Sequence, residues 1–178
     1  MPIRTLTTAN SYEEHRHVDT LFVDQWHPEN RGDFALSEDT DASARDAWDI
    51  TRGNRSIVVC AMDDGLSVDH INFSHPSKLV VPQDFGQDDT DLSPVRNDRG
   101  STVGSHGTAR AGVAATDENG VGVVGIAPSC SLIPVRTNGT INNDTIKALF
   151  DHLRLNGGYV INYSWAARSA PFIFVLQS

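Results

Sequence analysis

Apolar and polar residues fall in blocks along this chain, and the blocks predict strands and helices in turn. Continuous apolar runs at 56–62 (SIVVCAM) and 131–136 (SLIPVR) are typical of strands buried on both faces of a sheet. Shorter runs at 78–82 (KLVVP) and 159–163 (YVINY) predict two further strands.

Two segments between these runs have helical patterns. The stretch HGTARAGVAAT, from His106 onward, is rich in small residues and predicts a tightly packed helix. Over 142–155 the apolar residues recur at helical spacing, which predicts an amphipathic helix ended by Gly157 and Gly158. The order strand, strand, helix, strand, helix, strand favours an α/β fold with a mostly parallel sheet.

Residues 1–45 are polar, with only scattered aromatic side chains. This pattern predicts an extended N-terminal arm that wraps a larger body. Phe22 and Trp26 are the predicted anchors, because large aromatic side chains contribute most to such contacts.

Composition narrows the classes of protein. The chain has 178 residues, of which 39% are hydrophobic and 21% charged, as expected for one globular domain. Its net charge of -9 argues against nucleic-acid and membrane partners. No apolar run is long enough for a membrane span or a signal peptide, so a cytoplasmic location is the default expectation, with secretion left open. Cys60 and Cys130 lie in apolar runs and are predicted to be buried thiols.

Three glycines, Gly120, Gly122 and Gly125, have the G-x-G-x-x-G spacing of a dinucleotide-binding turn. That turn must follow a strand and open a helix, so that the phosphates lie at the helix N-terminus. Here the glycines follow the predicted helix and precede a strand. We therefore predict a tight structural turn and no nucleotide, and a nucleotide-binding protein is the weakest alternative.

An aspartate and a histidine are placed for catalysis. Asp63 ends the first predicted strand, where parallel sheets form their sites, and His106 begins the helix of small residues. A carboxylate that accepts from one ring nitrogen fixes the histidine tautomer and leaves the other nitrogen free to take a proton from a nucleophile. Either residue alone is better explained as an ordinary strand end or helix start.

Together with their neighbours these residues carry a resemblance to a known family. The chain resembles the subtilisin-like serine proteases (peptidase family S8), and most closely their kexin-like branch. The resemblance implies a three-layer α/β fold, with Asp63 as the triad aspartate, His106 as the general base and Asp64 beside the substrate cleft. The matching stretches, in the family's order, are DTLFVDQWHPEN, AWDITRGNRSIVVCAMDDGLSVDHINF, SHGTARAGVAAT, NGVGVVGIAPSCSLIPVR and VINYSW.

The resemblance also implies a polypeptide substrate. Ser164, Trp165 and Ala166 match the strand that pairs with the substrate backbone and walls the first specificity pocket, which is recognition by strand addition. The family usually has glycine where Ala166 stands, so a narrower pocket is expected.

The family's nucleophile is not found in the printed sequence. No G-T-S-x-[AS] motif and no turn resembling AAGN, which would supply the oxyanion asparagine, follows VINYSW. The resemblance therefore implies a partial catalytic domain over 46–165 and a divergent tail over 166–178, with a missing C-terminal half as a partner. We expect no peptidase activity from this chain alone. A non-catalytic remnant, or a calcium- or peptide-binding fragment, is the alternative.

The resemblance gives the glycine turn another role, as a structural calcium site. Oxygen-rich turns suit this ion, and glycines let the backbone turn its carbonyls inward. Asn72 stands where the family has an aspartate, so one negative charge is lost, and a plain structural loop is as well supported as a filled site. The implied ligands are the carbonyls of Asp117, Val121 and Val123, and the side chains of Asn119, Asn72 and Asp19.

Overall fold

Strands and helices alternate along the chain as predicted. The computed structural model describes residues 19–32, 35–96, 102–103, 105–137 and 142–163. The strands are β1 (Val58–Asp63), β2 (Gln83–Asp84), β3 (Val95–Arg96), β4 (Thr102–Val103), β5 (Ser131–Arg136) and β6 (Gly158–Tyr163). The helices are α1 (Ala44–Trp48), α2 (Ser105–Ala115) and α3 (Asn143–Leu155), with short 3-10 turns at Phe22–Asp24 and Ile71–Phe73.

Four strands form a parallel sheet in the order β2-β5-β1-β6. β1 lies at its centre, in register with β5 from the pair Val58 and Ser131 to the pair Asp63 and Arg136. β3 and β4 form a separate antiparallel pair. The prediction of an α/β fold with a mostly parallel sheet is confirmed, and the chemistry-bearing end of β1 lies at the carboxyl edge of this sheet.

The two faces of the sheet are covered by different helices. Val59 and Ala61 of β1 pack in one buried cluster with residues of α2. Val58, Cys60 and Met62, which alternate with them, pack in a second cluster with Leu149 and Leu153 of α3. This alternation across a strand buried on both faces produces three layers: helix, sheet and helix.

The helices are short, and within the described ranges none combines the length and apolarity needed to cross a membrane.

Both cysteines are buried free thiols, as predicted, and burial raises the pKa of Cys60 to about 11. The Cys60 thiol is therefore a poor nucleophile, because the reactive species is the thiolate.

The strand predicted at 78–82 is wrong in its position. Only Leu79 makes an isolated bridge, to Leu132 of β5, and the regular pairing occurs two residues after Val81, in β2. Val81 has a positive φ of 43°, which departs from extended backbone, and Pro82 has no N–H to donate. The chain therefore touches β5 twice, with a kink between the two contacts.

One predicted anchor of the arm is also wrong. Phe22 packs against Trp48 with ring centroids 6.0 Å apart, as expected, but Trp26 is 46% exposed. The buried contact comes from Gln25, whose amide donates to the carbonyl of Val124 and accepts from its N–H, both at 2.8 Å. This side chain pairs with the loop as a backbone amide would.

Gly107 sets how closely α2 approaches β1. A Cβ at this position would collide with the carbonyl oxygen of Gly65 and lie 2.7 Å from the Cβ of Asp63. Gly112, one helical turn and a half later, would place its Cβ 3.7 Å from a Thr116 methyl group, which is ordinary contact.

We expect Gly107→Ala to lower the free energy of unfolding by about 1–3 kcal/mol, because α2 must move away from rigid backbone. Gly112→Ala is the matched control and should be neutral or stabilise by up to about 1 kcal/mol, since alanine favours helix. Urea unfolding followed by circular dichroism measures both. Equal midpoints for the two variants would contradict the close-approach argument.

A second expectation concerns the α3 layer. Leu153 is fully buried against the sheet, whereas Leu155, two residues later, is 70% exposed. Leu153→Ala should cost about 2–5 kcal/mol through lost burial and the cavity left behind. Leu155→Ala should change stability by less than about 0.5 kcal/mol in the same thermal or urea melt.

Candidate active site

Asp63 and His106 form a hydrogen-bonded pair at the carboxyl end of β1. The imidazole Nδ1 lies 2.7 Å from one carboxylate oxygen of Asp63 and 2.9 Å from the other. An ionised carboxylate can only accept, so Nδ1 carries the proton and Nε2 is the free acceptor. The Asp63 side chain is buried and that of His106 is 45% exposed. The predicted base, His106, is therefore partly exposed to solvent, whereas the Asp63 carboxylate that orients its ring is buried.

Asp64 forms a hydrogen bond with the first turn of α2, the helix that carries His106. Its Oδ1 accepts from the N–H of Gly107 at 2.9 Å, and its own N–H donates to Asp63 at 2.8 Å. A carboxylate at an α-helix N-terminus satisfies a free N–H and interacts favourably with the helix dipole. The half-buried Asp64 is thus positioned by α2, beside the predicted catalytic pair.

The same three side chains form a compact set of potential metal ligands. Atoms of Asp63, Asp64 and His106 lie within 4.8 Å of one another, the one such group of His, Cys, Asp and Glu in the described part of the chain. Both Asp63 oxygens, Oδ1 of Asp64 and Nδ1 of His106 already make hydrogen bonds with one another or with the backbone. The arrangement therefore favours proton transfer through His106 over metal binding.

The predicted cation loop brings the N-terminal arm to the segment after α2. Asp19 is buried, and its Oδ1 accepts from the N–H groups of Asn119 and Gly120, both at 3.1 Å. Its Oδ2 is also buried but has no hydrogen-bond partner among the described residues. An unpartnered carboxylate oxygen in the interior is costly, so this atom calls for a ligand.

Asn72, in the 3-10 turn Ile71–Phe73, also has a buried side-chain oxygen without a hydrogen-bond partner. Its side-chain amide donates to the carbonyl of Val123 at 3.1 Å, while its buried Oδ1 has no partner in the described structure. Gly122 has a positive φ of 72°, and a Cβ there would lie 2.9 Å from the Asn72 amide nitrogen. The loop therefore closes around Asn72 in a conformation that glycine alone adopts readily.

The remaining predicted ligands lie in this loop. The Oδ1 of Asn119 accepts from the N–H of Val121 at 3.1 Å, which holds the turn. Asp117 is buried, and its N–H donates to the carbonyl of Asn72 at 3.0 Å. The Oδ2 of Asp117 is likewise buried without a hydrogen-bond partner among the described residues. Of the side-chain oxygens predicted as ligands, those of Asp19 and Asn72 are the orphaned ones, and beside a carbonyl-rich turn they fit a hard cation such as calcium, which takes oxygen ligands.

Sequence reasoning missed the side chains behind this loop. Lys78 is fully buried, and its ammonium lies 3.2 Å from the Asp117 carboxylate, which also accepts from Arg55 at 2.7 Å. Burial lowers the pKa of Lys78 to about 8, against the attraction of Asp117. The signal was a lysine beside the apolar residues LVV, in a segment interpreted only as a strand.

Three predicted site residues cannot be placed. Ser164, Trp165 and Ala166, interpreted as the substrate-pairing strand, lie outside the described residues, and so does the tail over 166–178. Tyr163, the last residue of β6, directly precedes them in the sequence.

Proteins of known activity are similar to this chain in sequence. A calcium-dependent protease of Trichormus variabilis is 31% identical over 144 residues, covering 81% of this chain and 20% of the relative. Furin-1 of Xenopus laevis is 29% identical over 151 residues, covering 83% of this chain and 18% of the relative. This chain therefore spans about a fifth of the length of either relative.

A solved structure has the same fold. The Aeromonas sobria serine protease, crystallised in complex with a chaperone, superposes with a TM-score of 0.62 at 21% identity, covering 85% of this chain and 26% of that one. The model of the subtilase family matches residues 54–172, which include both Asp63 and His106. This chain belongs to the subtilase family.

Proposed function

We propose that Asp63 and His106 are the aspartate and the general base of a serine endopeptidase. The observation that supports this most directly is the hydrogen bond from the His106 ring to the buried Asp63 carboxylate. It leaves Nε2 outside this hydrogen bond, on a side chain that is 45% exposed. Membership of the subtilase family adds the expected third partner, a serine.

In the proposed reaction His106 moves one proton twice. Nε2 takes the proton of the serine hydroxyl as the oxygen attacks the peptide carbonyl, and then donates it to the leaving amine. Asp63 holds the ring and stabilises the imidazolium formed between these steps. The serine must come from a segment carrying G-T-S-x-[AS], a motif that the 178 printed residues do not contain.

The proposed substrate is a polypeptide. Asp64 lies beside the catalytic pair, where a carboxylate would attract a basic side chain, as in kexin-like enzymes. Similarity to a furin supports that branch. The backbone-pairing role of Ser164, Trp165 and Ala166 is part of the same proposal.

We expect the 178-residue chain to show no labelling by a serine-directed fluorophosphonate, because it lacks the activated hydroxyl. The longest reading frame that contains this chain should include the serine motif, and its product should cleave peptides. In that product Asp63→Asn should lower kcat by about 10⁴-fold, because the histidine loses its correct tautomer.

Asp69→Asn, which changes a nearby exposed carboxylate outside the pair, is the matched control and should leave kcat within about twofold. A reading frame without the motif would instead support the non-catalytic remnant. Labelling of the short chain would show that one of its own serines is the nucleophile.

We propose further that the loop binds calcium as a structural ion. The support is the pair of buried oxygens without partners, Asp19 Oδ2 and Asn72 Oδ1, and the similarity to a calcium-dependent protease. The carbonyls of Asp117, Val121 and Val123 and the side chain of Asn119 would complete the set. Bound there, the ion would neutralise Asp19 and join the arm to the loop after α2.

Calcium should therefore raise the melting temperature of this chain. At a concentration of about 100 times its Kd, the ion would add about 2.7 kcal/mol to the free energy of unfolding. Asp19→Asn should abolish this gain, since Asp19 supplies the one carboxylate among the proposed ligands. Asp24→Asn, on the exposed part of the arm, should retain it. A melting temperature that calcium does not change in the wild-type chain would contradict the proposal.

A further inference from the structure

The ammonium of Lys78 joins its own segment to two others behind the loop. Its Nζ donates to the carbonyl of Ala115 at the end of α2, at 2.5 Å, and to those of Pro128 and Cys130 before β5, at 2.8 and 2.9 Å. The side chain is fully buried. A cation held by helix-terminal and turn carbonyls is satisfied as a small metal ion would be, and it complements the negative end of the helix dipole.

Arg55 adds a second cation to this cluster. Its Nη1 donates to the carbonyl of Cys130 at 2.7 Å, and its Nη2 donates to the Asp117 carboxylate at 2.7 Å. Lys78 approaches the same carboxylate oxygen at 3.2 Å. Two cations from separate parts of the chain thus converge on one oxygen of Asp117.

Asp117 is consequently held at two points. The two cations fix its side chain, and its N–H donates to the carbonyl of Asn72 at 3.0 Å. Asp117 is 4% exposed, so water does not compete for these contacts. With its side chain and its N–H both fixed, the peptide that carries its carbonyl has little freedom to turn.

We propose that Lys78 and Arg55 are positioning residues for calcium: through the carboxylate of Asp117 they hold the cation loop in its binding conformation. This inference rests on the proposed calcium site. Neither cation would touch the ion. Their contribution is that the loop need not be ordered at the moment of binding, which reduces the cost of association.

An effect of Lys78 and Arg55 through their charge and an effect through positioning of the loop predict opposite changes in calcium affinity. If the two cations acted only through their charge, they would repel calcium, and removing one would tighten binding. If they position the loop, removing one weakens binding. Outer partners of metal ligands commonly contribute about 10–100-fold to affinity.

The test measures the calcium Kd by isothermal titration of the purified chain, without any activity assay. We expect Arg55→Met to raise the Kd by about tenfold. Arg52→Met is the matched control, because Arg52 is similarly exposed and pairs with Glu118 in the same loop, yet contacts the carboxylate of Glu118 and not that of Asp117. The calcium Kd of Arg52→Met should remain equal to that of the wild type or fall.

Asp117→Asn supplies a second variant that keeps the side-chain shape and the backbone carbonyl. It should weaken binding to a similar extent, and Arg55→Met should add no further loss in its background, because both act through one contact. Circular dichroism melts of each variant establish that the compared chains are folded.

The outcomes separate the two proposals. Tight wild-type binding with an unchanged or lower Kd in Arg55→Met would overturn the positioning role and leave the calcium site standing. Additive losses in the double variant would also overturn it. No saturable binding by the wild-type chain would remove the calcium site itself, and the positioning role with it.

Discussion

The close contact between α2 and the end of β1 is the constraint on which the candidate active site depends. The Nδ1 of His106 reaches the Asp63 carboxylate only because Gly107, the next residue, lets the helix backbone approach the turn after β1. Asp64 then secures the approach by accepting from the N–H of Gly107. The segments Asp63-Asp64-Gly65 and His106-Gly107-Thr108 are therefore in direct contact, and a larger side chain at Gly107 would push them apart.

The region behind α2 follows the same logic with different chemistry. There the chain brings together an arm, a 3-10 turn and a glycine-rich loop through apolar and polar contacts. Phe22 of the arm and Ile126 pack with the buried side chains of Val124 and Trp48. Polar contacts add to this packing: Asp19 binds the loop N–H groups, Asn72 binds Val123, and Asp117 lies between Lys78 and Arg55. Charge and amide complementarity therefore acts together with apolar packing to define the loop.

Predictions from the sequence succeeded where one local pattern determines the outcome. Continuous apolar runs identified β1 and β5, and helical spacing identified α3. The strand end at Asp63 and the helix start at His106 predicted that these two side chains would meet, as they do, while their catalytic roles come from the family resemblance and stay a prediction. They failed where distant segments decide. Nothing near Gln25 indicates that its amide pairs with Val124, and nothing near Lys78 indicates the three carbonyls that satisfy it. Such partners are separated by tens of residues, and only the folded chain brings them together.

The amide of Gln25 has a consequence for the mechanical behaviour of the arm. Because its two hydrogen bonds to Val124 are buried, and Phe22 packs on Trp48 beside them, the arm is bound to the body by contacts independent of chain continuity. A protease that cut the exposed backbone around 35–40 would leave residues 19–32 associated as a non-covalent fragment. The nicked protein would migrate as one species in native electrophoresis and separate into two pieces only on denaturation.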